Sequence, residues 1–134
     1  MSGLEMTKTA FRFERLDIWK RSVDFADDVY NLTKCFPKSE LFGLTSKLRR
    51  SSSISANIAE GSSRASDRDF SRFVEIAFGS LCETVSHFQL ARRQQLVKDE
   101  DYHSLYRNAA ELSRMLSSFR NSLGKWKSES AEGI

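Results

Sequence analysis

Proline occurs once and glycine six times in 134 residues, too little punctuation for the many tight turns of a β sandwich or barrel. Cysteine occurs twice, at Cys35 and Cys82, and Met1 to Ala10 lacks the apolar run of a secretory leader. Both cysteines are therefore expected to be free thiols in a reducing cytoplasm. No stretch approaches the roughly 20 consecutive apolar residues of a membrane span. Neither sign of charge dominates: 21 Lys and Arg against 18 Asp and Glu leave +3, which suits an acidic polymer as partner without demanding one. What is present is 40% hydrophobic and 29% charged residues with ten phenylalanines, enough for one core in a single soluble domain spanning the chain.

Four segments carry helical periodicity, at about 15–35, 40–60, 67–94 and 100–123. The first places Leu16, Trp19, Val23, Ala26 and Tyr30 three and four apart, and Phe36-Pro37 stops it. Ser39 opens the second, whose apolar positions are Leu41, Leu44, Leu48, Ile54 and Ile58, with Gly61 as its end. Ser66 to Asp69 reads as a cap for the third, with a core stripe of Phe70, Phe73, Ala77, Leu81, Thr84, Phe88 and Ala91. Asp99, Glu100 and Asp101 sit where a fourth helix dipole starts, ahead of Tyr102, Leu105, Ala109, Leu112, Leu116, Phe119 and Leu123, and Gly124 stands where the helix would stop. Short breaks between long rods favour antiparallel neighbours. The expected fold is all-α, an antiparallel up-down-up-down four-helix bundle with flexible ends.

The second and third helices carry another pattern opposite their apolar stripes. Ser46, Arg50, Ser53, Asn57 and Glu60 recur on one; Arg72, Glu75, Gly79, Cys82 and Ser86, flanked by Phe78, recur on the other. A face that only meets water usually carries long Lys and Glu side chains. Ser, Gly, Asn and Cys cost helix propensity but let another backbone approach closely. These positions, Ser86 aside, are the expected subunit interface, with Arg50 or Arg72 pairing across it with Glu60, Glu75 or Glu83.

Catalytic and metal chemistry finds little support. Glu100-x-x-His103 is half of a carboxylate di-metal motif, but the other histidine, His87, has Thr84 at the required acidic position. Cys35, Cys82, His87 and His103 lack metal-ligand spacing. Gly61-Ser62-Ser63 lacks the lysine of a phosphate loop, and no serine lies in a Gly-x-Ser-x-Gly elbow. Asp27-Asp28 reads as a solvated helix face. A non-enzymatic protein without cofactor or metal is expected.

Basic groups are better placed. Lys47, Arg49 and Arg50 lie in a span from Leu41 to Ala59 that holds no acid. From Ser104 to Lys127 the bases, among them Arg107 and Arg114, face Glu111 alone. Lys125-Trp126-Lys127 sets an aromatic between two cations, a combination that stacks on bases and pairs phosphates. Arg49, Arg107, Arg114, Lys125, Trp126 and Lys127 are the candidate nucleic-acid contacts.

Three runs have a further likeness: Phe42-Gly43-Leu44-Thr45-Ser46-x-Leu48-Arg49-Arg50, then Ser53-Ile54-Ser55-Ala56-Asn57-Ile58-Ala59-Glu60-Gly61, then Phe70-x-x-Phe73-x-x-Ile76-Ala77-x-Gly79-Ser80-Leu81-x-Glu83. Together with Leu16-Asp17-Ile18-Trp19 and Thr33 to Pro37, they resemble the four-helix-bundle proteins encoded in intervening sequences of bacterial 23S ribosomal RNA genes. The likeness covers about Phe13 to Leu123. That family usually has proline where this chain has Ser55, so a straighter second helix is expected here. The resemblance implies a ring of subunits, typically a homopentamer, and RNA association. It extends to the accessory protein of diversity-generating retroelements, which binds a reverse transcriptase and nucleic acid, and it carries over no catalytic residue. The function expected first is oligomeric RNA binding. The alternative is a scaffold or adaptor, such as an accessory subunit of a reverse transcriptase, with an apolar patch near Phe78 or Trp126.

Overall fold

A computed structural model describes the backbone of residues 9–132 and the side chains of residues 9–123. A single 3-10 turn, Arg12–Arg15, leads into α1, Asp17–Thr33. The second rod is composite: a 3-10 turn at Lys38–Glu40, a π turn at Leu41–Thr45, then α2, Ser46–Ser51, and α3, Ile54–Ser62. Two long helices complete the fold, α4 at Asp67–Arg93 and α5 at Asp99–Glu132. Neighbouring rods pack in a closed circuit, α1 on α2 and α3, these on α4, α4 on α5, and α5 back on α1. Cross-links fix the antiparallel register. Arg21 pairs with Glu111 and Asp28 with Asn108 between α1 and α5; Glu75 pairs with Arg120 and Arg92 with Asp99 between α4 and α5. The fold is the expected four-helix bundle.

The core stripes of α4 and α5 follow the sequence pattern closely. Phe70, Ala77, Leu81, Thr84, Phe88 and Ala91 are buried on α4, with Val74 on the axis where Phe73 was expected. Tyr102, Leu105, Ala109, Leu112, Leu116 and Leu123 are buried on α5, and Phe119 packs against the Phe70 ring. The Ser66 hydroxyl accepts from the Asp69 N–H and caps α4. Its far end closes in a Schellman arrangement, Leu96 N–H to Ala91 O and Gln95 N–H to Arg92 O, with Gln95 at φ 61° where glycine is usual. The fourth helix does not stop at Gly124 but runs to Glu132; one helical glycine costs about 1 kcal/mol against alanine, which is not enough to end a helix.

Helix α1 departs from its expected phase. Ile18, Ser22, Phe25 and Val29 point into the core, while Leu16, Trp19, Val23 and Ala26 are half-buried and Tyr30 is 44% exposed. Both sets have helical spacing and lie on adjoining flanks, so the apolar arc is wide. Packing selects the flank with the bulky Ile18 and Phe25, and Ser22 fits beside them because its hydroxyl donates to the Ile18 carbonyl at 2.6 Å.

The second rod is broken rather than straight, although Ser55 replaces the expected proline. Three consecutive serines reach back three residues: Ser51 Oγ to Leu48 O, Ser52 Oγ to Arg49 O and Ser53 Oγ to Arg50 O. Their hydroxyls compete for the carbonyls that a continuous helix would use, and Ser53 leaves helical geometry at ψ 45°. Within the break Ser51 is buried, its hydroxyl 2.8 Å from that of Thr84 on α4.

Gly61 does not end α3 either. It lies buried inside the last turn, where an added Cβ would fall 2.6 Å from Phe73 Cβ and 2.9 Å from Phe70 Cδ1. The missing side chain allows α3 and α4 to meet at their shared turn. Replacing Gly61 with Ala should therefore lower unfolding stability by about 1–3 kcal/mol, read as a fall in the urea midpoint at constant m value. An unchanged midpoint would mean that the two rods separate there without cost.

Candidate nucleic-acid interface

Arg49 is held in place by its own chain. Its Nε donates to Thr33 Oγ1 at 2.9 Å, and its guanidinium lies over the Tyr30 ring at 4.9 Å. Thr33 is buried and can accept because its own proton goes back to the Val29 carbonyl. These contacts lock α2 to the end of α1 and leave both Nη groups of Arg49 uncommitted to Thr33. Beside them opens a cavity of about 570 Å³, whose lining includes Tyr30, Phe42, Thr45, Arg49 and Arg50. Phe42 is 93% exposed, and Arg50 is exposed with no ion pair among the described residues. Among the described residues no carboxylate lines the cavity. Thr45 is buried, and its hydroxyl has no hydrogen-bond partner among the described residues.

The sequence reading missed Phe42 and placed Tyr30 and Leu41 in the core. The π turn accounts for the difference. Gly43, at φ −104° and ψ −114°, breaks the helical path, so Leu44 and Thr45 turn inward while Leu41 and Phe42 remain outside. Phe42 lies off the three-and-four spacing that runs through Leu44 and Leu48, which was the available signal.

Arg107 and Arg114 are exposed on α5, two turns apart, about 10 Å along the axis. The nearby acid, Glu111, is paired with Arg21 of α1 and does not neutralise them. Arg114 borders α1 beside Ile18 and Met115. These arginines and the Arg49 cavity occupy different edges of the bundle. The side chains of Lys125, Trp126 and Lys127 lie outside the described residues.

The positions expected to form one subunit seam fall into two groups. Ser46, Arg50 and Ser53 line the cavity next to α1. Phe78 and Cys82 instead line an apolar groove of about 310 Å³ shared with α5, together with Leu81, Val85, Tyr106 and Ala109. Asn57 is half-buried; Glu60, Arg72, Glu75 and Gly79 are exposed between these edges. Open space surrounds the point where a Gly79 Cβ would stand. The acids expected to pair across a seam have partners within the chain: Glu60 with Arg64 at 3.1 Å, Glu75 with Arg120 at 3.8 Å and Glu83 with His87 at 3.4 Å.

Asp28 lies in a third depression, between α1 and α5. Desolvation there raises its carboxyl above the usual range; the Asn108 amide opposes this, while Asp24 and Asp27 add to it. A raised native pKa means that the folded state binds the proton more readily, so this group's unfavourable contribution appears as pH rises through that value. Asp28→Asn should raise the melting temperature at pH 7 and lose that advantage near pH 3; an equal effect at both would refute the assignment.

Among the described residues no three His, Cys, Asp or Glu side chains gather as a metal-binding group, and no helix is long and apolar enough to cross a membrane. Both thiols are exposed. The architecture is that of a small up-and-down helical bundle with basic and apolar grooves along its edges. The chain belongs to the 23S rRNA-intervening sequence protein family, whose profile matches residues 14–118. A solved structure from Bacteroides thetaiotaomicron, a protein of unknown function from the S23 ribosomal protein family, superposes with a TM-score of 0.72 at 28% identity. The alignment covers 77% of this chain and 97% of that one. No match was found among curated proteins.

Proposed function

We propose that this protein is a non-enzymatic, cytoplasmic nucleic-acid-binding protein, acting on RNA as a homo-oligomer. The observation that carries the reading is the placement of charge. A net excess of +3 is small, yet Arg49 and Arg50 border a cavity with no carboxylate among its described lining residues, and Arg107 and Arg114 stand on a face where Glu111 is already paired. Phosphate contacts of this kind release counterions, and repetition around an assembly turns a weak patch into an avid one. The family's place within ribosomal RNA genes points the same way, and a ring of five is the assembly its resemblance implies.

RNA affinity should fall steeply between about 50 and 200 mM salt, and each of Arg107→Gln and Arg114→Gln should reduce the log–log slope by roughly 0.7 on single strands. Binding indifferent to salt, or no binding, counts against the reading.

A second reading, a scaffold that docks a protein such as a reverse transcriptase, is favoured by the apolar groove at Phe78, Leu81, Val85 and Tyr106. Gly79 is exposed nearby on α4, and an added Cβ there meets nothing within 4 Å among the described residues. In an assembly that uses this surface, Gly79→Leu should give smaller species in sedimentation velocity with helicity intact. Unchanged sedimentation would remove this face from the subunit contact and leave the groove to another partner.

A further inference from the structure

We propose that the cavity between α1 and α2 is a single-nucleotide site for unpaired RNA, with a base stacked on Phe42 and its phosphate held by Arg49 and Arg50. This rests on the RNA-binding reading and deepens it. Two independent observations converge. Phe42 is 93% exposed, a bare aromatic face beside guanidinium groups. Arg49 is already oriented by Tyr30 and Thr33, so its remaining donors are fixed before a ligand arrives, which limits the entropy lost on binding.

The chemistry selects the ligand. A cavity of about 570 Å³ falls within the range of small-molecule sites, roughly 300–1,000 Å³. Its two guanidinium groups, with no carboxylate among the described lining residues, ask for an anion, and its aromatic side asks for a flat, polarisable ring. A nucleotide supplies both. Paired bases are already stacked within a duplex and cannot present a face to Phe42, so the site discriminates in favour of single strands.

The test measures binding of a labelled oligouridylate and of an RNA duplex of the same length to the full chain. Phe42→Ala should weaken single-strand binding by roughly 5- to 100-fold and leave duplex binding unchanged, while Phe42→Trp retains affinity and its emission is quenched by the oligonucleotide. Arg107→Gln serves as comparator and should weaken both RNAs alike. Because Phe42 is solvent-facing, circular dichroism of each variant should match the parent.

If the parent binds RNA and Phe42→Ala binds equally well, the site is refuted while the RNA reading stands. If the parent binds neither RNA, the broader reading fails and takes the site with it. If Phe42→Ala instead shifts the sedimentation profile, a neighbouring copy covers the ring and the nucleotide site is wrong.

Discussion

The layout of the molecule depends on three hydroxyls that interrupt one rod. Ser51, Ser52 and Ser53 each turn back on a carbonyl three residues earlier and divide the second rod into α2 and α3. The two pieces then satisfy different demands. Helix α3 keeps Ile54 and Ile58 at the core and brings Gly61 under Phe70 and Phe73. Helix α2 leans on α1 through Arg49 and on α4 through Ser51. A continuous helix would hold both ends to one phase and could not place Arg49 over Tyr30 independently of the Gly61 contact.

Electrostatics here is a matter of which acids are already engaged. The chain is only slightly basic, and a count of charges gives little sense of its surface. Intramolecular ion pairs absorb Glu60, Glu75, Asp99 and Glu111. Exposed pairs of this type add little to stability, typically 0.2–1 kcal/mol. Their larger effect is to leave Arg50, Arg107 and Arg114 without an ion-pair partner among the described residues, so the surface potential is more uneven than the composition suggests.

Much of the fold was legible in the sequence because α4 and α5 each repeat one unambiguous apolar stripe over many turns. The first helix was less so. Its arc is wide enough to hold two stripes, and only packing chooses between Ile18-Phe25-Val29 and Trp19-Val23-Ala26. The second rod hid its break because serine is compatible with helix, turn and cap alike; what decides is the carbonyl each hydroxyl reaches. The candidate site was half visible. Arg49 and Arg50 drew notice through an acid-free span, whereas Phe42 depends on a π turn that no periodicity encodes. Seam residues that share an outward direction on paper diverge in three dimensions, since the outer faces of adjacent rods turn away from each other around a closed bundle.

The two thiols have a practical consequence for anyone handling the protein. Cys35 lies beside α5 on its α1 flank, next to Asp101 and Ser104; Cys82 lies on the α4 flank, next to Tyr106 and Ala109. A helix about 10 Å across stands between them, beyond the reach of a disulfide. Disulfide formation therefore has no intramolecular outlet and links separate chains. A ladder on a non-reducing gel would then record storage conditions, and true assembly has to be judged with reductant present.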